Sequence, residues 1–313
     1  MRKIIFYFVL LLGFVLSSCE SSAPSSDSTK EQPTTTVPTS TPIPTQPDCQ
    51  IPGKVLDENK IWFPTKQLYA AIISDSTTTN EEYGDVYRIL VLADKDCKLI
   101  FRKTLPENDA PDYGYFLAPI NYNNNSRLVG IKGFDAAYVF DLDNKKLYPK
   151  LVPKFLTERF GEDAQSGQII RIEVWENFLI GYAQDFGSFV FDLSDKEHPK
   201  AILPVAEYSK DDTNFSSLFA LPSKDGMTQL IIPVFDFEKD EFEINPLLQK
   251  AADLNLNLSK SARNNKLIVL RQNDNQKTPL AINLEKKKLI PLPDDIKQKK
   301  TGEIIRWMKG IER

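Results

Sequence analysis

Short apolar runs alternate with polar turns from residue 53 to about residue 292. Ile170, Ile172 and Val174 alternate with polar or charged neighbours, which is the two-residue period of a strand with one buried face. Continuous apolar runs such as Leu267–Leu270 favour central strands that are buried on both faces. The pattern therefore predicts an all-β domain made of many short strands.

One motif recurs along this region: an apolar pair, an Asp or Asn, a charged turn and an apolar restart. In its clearest copy, Asp141 ends the first apolar run and Leu147 begins the second. Such an acid or amide can accept hydrogen bonds from the backbone of the turn, so each copy predicts a β-hairpin. The copies begin 44 to 51 residues apart. Their first residues are Val91, Val139, Val190, Val234 and Ala281.

A repeat of this length suits the four-stranded blade of a β-propeller. The hairpins resemble the outer strand pair of bacterial β-propellers, including those of the quinoprotein type. The resemblance implies the fold alone, because the turns here carry Asn-Lys or Asp-Lys where those families often carry Thr-Gly. We therefore expect a β-propeller of about six, or five, four-stranded blades, with a β-sandwich or two stacked sheets as the alternative architecture.

The choice of six blades depends on both ends of the domain. A truncated copy of the motif at Val55–Trp62 would be a sixth hairpin, and pairing it with residues near Glu303–Met308 would close the ring. The same C-terminal residues also fit one face of a helix. Two further segments, Pro153–Gln165 and Pro246–Ala252, are expected to be helical or irregular.

A second kind of apolar run opens the chain. Arg2 and Lys3 precede a run of about 13 residues, which as a helix would be about 20 Å long against roughly 30 Å of bilayer hydrocarbon. That layout predicts a signal peptide, with an uncleaved N-terminal anchor as the alternative. The run ends in Leu16-Ser17-Ser18-Cys19, which resembles the lipobox of bacterial lipoproteins.

The lipoprotein resemblance implies that residues 1–18 are removed and that Cys19 carries a diacylglyceryl thioether and an acylated amine. More than one acyl chain is what stable anchoring in a bilayer requires. The expected location is the extracytoplasmic side of a bacterial cell membrane. Residues 19–48 are rich in Ser, Thr and Pro and predict a disordered, extended tether, leaving residues 49–313 as the folded domain.

The net charge of the chain bears on which partners it can bind, and its cysteine content bears on whether it forms a disulfide. The chain has a net charge of −4, and loss of Arg2 and Lys3 with the signal leaves −6, which argues against nucleic acid as a partner. Cys49 and Cys97 remain after lipidation, and outside the cytoplasm such a pair is a candidate disulfide. The alternative is two free thiols that never meet.

The sequence carries no catalytic signature. His198 is the single histidine, so a zinc site built on several histidines is excluded by count, and its place in a turn favours a solvated role. The repeated Asp141, Asp192 and Asp236 could hold a cation through oxygen ligands, but turn capping is favoured. No catalytic residue, metal or cofactor is predicted.

Aromatic residues in or beside loops are the remaining candidates for binding. Tyr113, Tyr115 and Trp175 could face a sugar or a protein partner if they converge; otherwise each packs within its own blade. The favoured function is a non-catalytic binding or scaffold protein whose partner is an envelope protein or a surface polymer. The alternatives are a carboxylate-dependent hydrolase or lyase acting on glycans, and a sensor of a small ligand or cation.

Overall fold

The computed structural model describes a mostly β chain in which every strand pairing is antiparallel. The described residues are 48–80, 84–106, 113–118, 127–153, 168–184, 186–209, 215–222, 227–247, 251–252, 256–264, 266–272 and 278–311. The lipobox with Cys19 and the linker up to residue 47 lie outside these ranges, as do 154–165. The all-β prediction is confirmed.

The strands of the first half form three sheets, each with neighbouring strands in chain order. Sheet 1 contains β1 (Val55–Phe63), β2 (Leu68–Asn80), β3 (Gly84–Asp94) and β4 (Leu99–Thr104). Sheet 2 contains β5 (Phe116–Leu117), β6 (Leu128–Lys132), β7 (Ala137–Asp141) and β8 (Lys146–Leu147). Sheet 3 contains β9 (Ile169–Trp175), β10 (Phe178–Ala183), β11 (Gly187–Asp192) and β12 (Lys200–Ile202).

Two more sheets and two helices complete the described chain. Sheet 4 contains β13 (Ala206–Ser209), β14 (Phe215–Pro222), β15 (Met227–Asp236), β16 (Glu241–Pro246) and the short β17 (Ala251–Ala252), which pairs with β15. Sheet 5 contains β18 (Leu256–Asn264), β19 (Leu267–Gln272), β20 (Leu280–Asn283) and β21 (Lys288–Leu289). The helices are α1 (Asp294–Lys297) and α2 (Thr301–Ile311).

The five sheets stack in chain order through four hydrophobic clusters. Leu90 and Leu92 of sheet 1 pack with Val129 and Phe140 of sheet 2. Equivalent clusters join sheets 2 and 3, sheets 3 and 4, and sheets 4 and 5. Because central strands bury both faces, their side chains alternate between two clusters, which explains the continuous apolar runs. Sheets of this kind are consistent with propeller-like blades.

The two outermost sheet faces are covered by the ends of the domain. Cys49 and Ile51 pack with Trp62 and Tyr69 on the outer face of sheet 1. On the outer face of sheet 5, the residues that cover Val269 come from the C-terminal segment and helix α2, and include Ile290, Ile304, Ile305 and Met308. Each cap buries apolar surface that would otherwise face water, and these caps form separate clusters within the described part of the chain.

Three local predictions at the chain ends and in sheet 4 are corrected. Val55–Trp62 is not a hairpin: it belongs to the single strand β1, whose pairing with β2 shifts register between Val55 and Lys60. Residues Glu303–Met308 lie in helix α2 and do not complete a sheet, because Ile304, Ile305 and Met308 share one buried face. Ala251 and Ala252, expected to be helical or irregular, form the short strand β17.

Candidate functional site

All five predicted hairpins form, and the repeated acid or amide caps each turn. Oδ1 of Asp141 accepts hydrogen bonds from the backbone amides of Asp143 and Asn144 at 3.0 and 3.1 Å. The equivalent contacts are made by Asp94, Asp192, Asp236 and Asn283. Turn capping is therefore confirmed for these positions, and no cluster of metal-ligating side chains is found among the described residues.

Asp141 has an additional partner. It is fully buried, and the guanidinium of Arg127 donates from Nε and Nη2 to its carboxylate at 2.8 to 3.1 Å. Burial by itself raises the pKa of Asp141, but the Arg127 guanidinium and the turn amides outweigh it, so the pKa lies below its ordinary value. The charge of Asp141 is thus used to hold a turn.

The single histidine lies in a turn, as predicted. The side chain of His198 is 83% exposed, and its Nδ1 lies 3.2 Å from Oδ2 of Asp195 in the same turn. Contact with His198 lowers the pKa of Asp195. The geometry shows a local turn contact between two exposed side chains.

A cavity of about 230 Å³ is the strongest candidate for a binding site. It is lined by residues of β1, β5, β6 and β9 and by Asp240 of the β15–β16 turn. Residues from four sheets therefore meet around one concave space. Concave sites with apolar walls and a few polar groups are where proteins bind small ligands.

Lys132 is the central polar group of this cavity. Its ammonium donates to the backbone oxygen of Ile169 at 3.2 Å and to the hydroxyl of Tyr113 at 3.3 Å. It also lies 5.0 Å from the ring centre of Phe116 and 5.5 Å from that of Tyr113, within the range of cation–π attraction. These contacts hold the ammonium beside two aromatic rings.

Tyr113 is fixed from several sides. Its hydroxyl accepts a hydrogen bond from Nε2 of Gln168 at 3.0 Å. Its ring meets the rings of Phe116 and Phe134 edge-on, with centres 5.9 and 5.2 Å apart. Aromatic pairs in this arrangement stabilise each other, so the wall of the cavity is preorganised.

Hydrogen bonds from Asn59 hold the chain segment around β5, which forms this wall of the cavity. The side chain of Asn59 is completely buried; Nδ2 donates to the backbone oxygen of Tyr115 at 2.8 Å, and Oδ1 accepts from the amide of Leu117 at 2.7 Å. The amide group thus satisfies one backbone group of the short strand β5 and one of the residue before it. Sheet 1 is thereby joined to the edge strand β5 of sheet 2.

An ion pair between Arg171 and Asp240 lines one side of the cavity. Nη1 of Arg171, on β9, donates to Oδ2 of Asp240 at 2.7 Å. Asp240 has a φ of 52°, in the left-handed region that Asp tolerates better than most residues. Asp240 is the last residue of the β15–β16 turn, so its ion pair with Arg171 is a contact between sheet 4 and sheet 3. Glu58, on β1, also lines the cavity and is exposed.

The predicted aromatic residues do not converge. Tyr113 lines the cavity, whereas Tyr115 belongs to the core: it is 1% exposed, and its hydroxyl donates to the backbone oxygen of Pro106 at 2.9 Å. Trp175 is half-buried and stacks with Phe178 at 6.3 Å, packing against the cluster between sheets 3 and 4. The cavity lining includes Tyr113 and neither of the other two.

Sequence reasoning missed the charged members of the cavity. Lys132 follows the apolar run Val129–Ile131 directly, and Arg171 stands in the alternating strand β9. A lone cation at the end of a buried strand is a weak signal of a polar site. Nothing in the sequence indicates that Asp240, 69 positions from Arg171, would lie beside it.

The cysteine pair is disulfide-bonded. The Cα atoms of Cys49 and Cys97 are 5.5 Å apart, and Cys49 is buried against sheet 1. This bears out the predicted pairing over the alternative of two separate thiols. The bond joins the start of the domain to the β3–β4 turn.

No protein family model and no curated protein sequence matches the chain. Solved structures resemble it at a distance. A chain in "Crystal Structure of Mitotic Checkpoint Complex" is 11% identical with a TM-score of 0.31, covering 90% of this chain and 74% of that one. The computationally designed Ika8 protein is 11% identical with a TM-score of 0.36, covering 80% and 65%.

A third structure is that of S. cerevisiae dbp5 l327v bound to nup159, gle1 h337r, ip6 and adp. Its matched chain is 10% identical with a TM-score of 0.28, covering 77% of this chain and 61% of that one. The chain thus spans less than two thirds of the length of the matched chains in the second and third structures. At identities and TM-scores this low, the likenesses carry no functional argument.

No helix in the described ranges is long and apolar enough to cross a membrane.

Proposed function

We propose that this protein is a non-catalytic binding protein, held by acylated Cys19 on the extracytoplasmic side of a bacterial cell membrane. Support for the location comes from the lipobox-like Leu16-Ser17-Ser18-Cys19 and the Pro-rich linker that follows it. The bond between Cys49 and Cys97 fits the same location, since disulfides persist in oxidising compartments outside the cytoplasm.

The observation that carries the binding function is the cavity around Lys132. Two aromatic rings, an ammonium and an ion pair from separate strands surround one space of about 230 Å³. The carboxylate of Asp141, by contrast, already pairs with Arg127 and with the backbone amides of its own turn. The domain would therefore work as a rigid receptor whose partner is an envelope protein or a surface polymer.

We also propose that the five sheets are the blades of an open β-propeller. The order of the sheets and the hydrophobic cluster between each successive pair support this interpretation. The ends of the domain would take the place of ring closure, since the N-terminal segment covers sheet 1 and helix α2 covers sheet 5. Covering the apolar face of a sheet in this way removes an exposed patch through which it could associate with other chains.

Anchoring is tested by metabolic labelling with an alkyne-bearing fatty acid in a bacterial host. The wild-type protein and the control Ser22→Ala should incorporate the label and sediment with membranes. Cys19→Ala should lose the label, because the thiol that accepts the lipid is gone. Equal labelling of all three proteins would contradict the proposed anchor.

Binding is tested by photo-crosslinking in intact cells that express the full chain. A photo-crosslinking residue at Glu58, on the cavity, should capture a partner, whereas the same residue at Lys103, exposed on β4, should not. Equal products at both positions, or none at Glu58, would contradict binding through the cavity. Conversion of a captured partner to product by the purified protein would favour the hydrolase or lyase instead.

A further inference from the structure

We propose that the cavity around Lys132 binds a sugar that carries a carboxylate, as in a uronic acid; this inference rests on the binding function proposed above and names its ligand. The sugar carboxylate pairs with the ammonium of Lys132. The sugar ring lies against Tyr113 and Phe116, and its hydroxyl groups donate to Glu58. Each of these groups lines the cavity.

The contacts of Lys132, rather than the net charge of the cavity, point to an anionic group on the ligand. The charged side chains that line it are Glu58, Lys132, Arg171 and Asp240. Arg171 and Asp240 neutralise each other at 2.7 Å, whereas the contacts of Lys132 within the described residues are a backbone oxygen, a hydroxyl and two ring faces. No carboxylate among those residues pairs with the Lys132 ammonium. A half-buried cation with neutral partners attracts an anion strongly, because hydrogen bonds between charged groups are the stronger kind.

Two features of the cavity suit a sugar rather than a bare anion. The rings of Tyr113 and Phe116 both line the cavity and supply apolar surface, against which the C–H groups of a sugar ring pack. Glu58 is exposed at the same cavity, and an ionised carboxylate accepts hydrogen bonds only. That group therefore favours the hydroxyl donors of a sugar and disfavours a second negative charge beside it.

A neighbouring exposed aromatic residue extends the site towards a longer chain of sugars. Phe237 is 63% exposed and lies in the β15–β16 turn, which also carries Asp240. Its ring centre is 5.3 Å from that of Tyr182, and Tyr182 lies opposite Arg171 in the pairing of β9 with β10. Phe237 thus stands next to the Arg171 side of the cavity, where it provides a second stacking surface for an oligosaccharide.

The test measures binding to the full-length protein in detergent by ligand-detected NMR titration. The probes are D-glucuronate, its neutral amide D-glucuronamide, and acetate as a carboxylate without a sugar ring. We expect glucuronate to bind about tenfold or more tightly than glucuronamide, the usual effect of one charge-assisted hydrogen bond. Acetate should bind more weakly than glucuronate, because it lacks the ring that stacks.

The variant Lys132→Met keeps the length of the side chain and removes its charge. It should abolish the preference for glucuronate over glucuronamide, while Lys103→Met on β4, which makes the same charge change at an exposed site, should leave the preference intact. A thermal melt of both variants separates lost binding from lost folding. If Lys132→Met fails to fold, Phe237→Ser should still weaken an oligouronate severalfold more than it weakens the monosaccharide.

Three outcomes would overturn the inference: no binding of glucuronate to the wild-type protein, equal affinity for glucuronate and glucuronamide, or equal affinity for glucuronate and acetate. Each leaves the proposed function standing if Cys19 is acylated and a partner is captured from position 58. Conversely, binding of glucuronate by a protein that carries no lipid would uphold the ligand and contradict the proposed location.

Discussion

Gly181 lies directly opposite Phe189 in the pairing of β10 with β11, and the ring of Phe189 fills the space where a side chain at position 181 would stand. A Cβ atom built on Gly181 would lie 2.6 Å from Cε1 and Cε2 of that ring. Both residues belong to the centre of sheet 3, and Phe189 is completely buried in the cluster between sheets 2 and 3. The glycine is therefore required by close packing.

Replacing Gly181 with Ala should destabilise the protein, because neither the buried ring nor the strand can move freely. We expect a loss of about 3 kcal/mol in the free energy of unfolding, towards the upper end for overpacking in a core. Gly302→Ala is the control, since a Cβ there meets nothing within 4 Å and Ala is the better helix former. Urea denaturation of both variants measures the difference, and equal midpoints would refute the packing argument.

The carboxylate of Asp141 should stabilise the fold only where it is ionised. Its pKa is lowered in the folded state, so its contribution is present above the ordinary pKa of Asp, near 4, and is lost as pH falls through the lower folded value. Asp141→Asn should cost about 1.5–3 kcal/mol at pH 7, the range for hydrogen bonds to a charged group. The loss relative to wild type should shrink as the pH falls below 4.

Asp94→Asn is the matched control for Asp141→Asn. Asp94 caps its turn through the amides of Asp96 and Lys98, which an Asn oxygen can also do, as Asn283 does for Lys286. We expect a change within about 0.5 kcal/mol in thermal melts at pH 7. Equal losses for the two variants would show that the turn, and not the pair with Arg127, depends on the charge.

Breaking the bond between Cys49 and Cys97 should lower the free energy of unfolding of the domain. The two residues are 48 positions apart, for which loop-closure entropy gives about 4 kcal/mol of stabilisation. Cys97→Ser and Cys49→Ser should therefore melt alike and well below the wild-type protein. Wild type in reductant should melt with them, and a wild-type melting temperature unchanged by reductant would contradict this expectation.

Helix α2 should be needed to keep sheet 5 out of contact with solvent. Ile304 is completely buried against Val269 and its neighbours, so Ile304→Ser should cost about 3 kcal/mol and increase the binding of a dye that detects exposed apolar surface. Arg306→Ala, on the exposed side of the helix, should stay within about 0.5 kcal/mol. If both variants bind the dye like wild type, the helix does not protect the sheet.

The hairpins could be predicted because their signal is local. Asp141 and Asn144 are three positions apart, and the hydrogen bond that caps the turn joins these near neighbours. The same reasoning failed at Val55–Trp62, where Asn59 resembles a turn residue. Its side chain instead satisfies backbone groups of Tyr115 and Leu117, 56 and 58 positions away, which no local pattern reveals.

The cavity could not be predicted, because its parts come from strands that are distant in the sequence. Tyr113 was identified as a candidate, but so was Tyr115, which satisfies its hydroxyl inside the core through Pro106. The hydroxyl of Tyr113 instead accepts hydrogen bonds from Lys132 and Gln168 at the cavity, and no local pattern distinguishes the two tyrosines. For Lys132 the decisive neighbours, Tyr113 and Ile169, lie on either side in the sequence and meet only when sheets 2 and 3 pack.

The bond between Cys49 and Cys97 also has a mechanical consequence. A pull that arrives through the chain before Cys49 is transmitted both to the backbone of Ile51 and, through the sulfur atoms, to the β3–β4 turn. Strands β1, β2 and β3 lie inside the covalent loop, so tension on a tether cannot peel β1 away from β2 as it would from a free end. If the domain is anchored as proposed, a pull from the anchor would therefore be shared between the start of the domain and the β3–β4 turn of sheet 1.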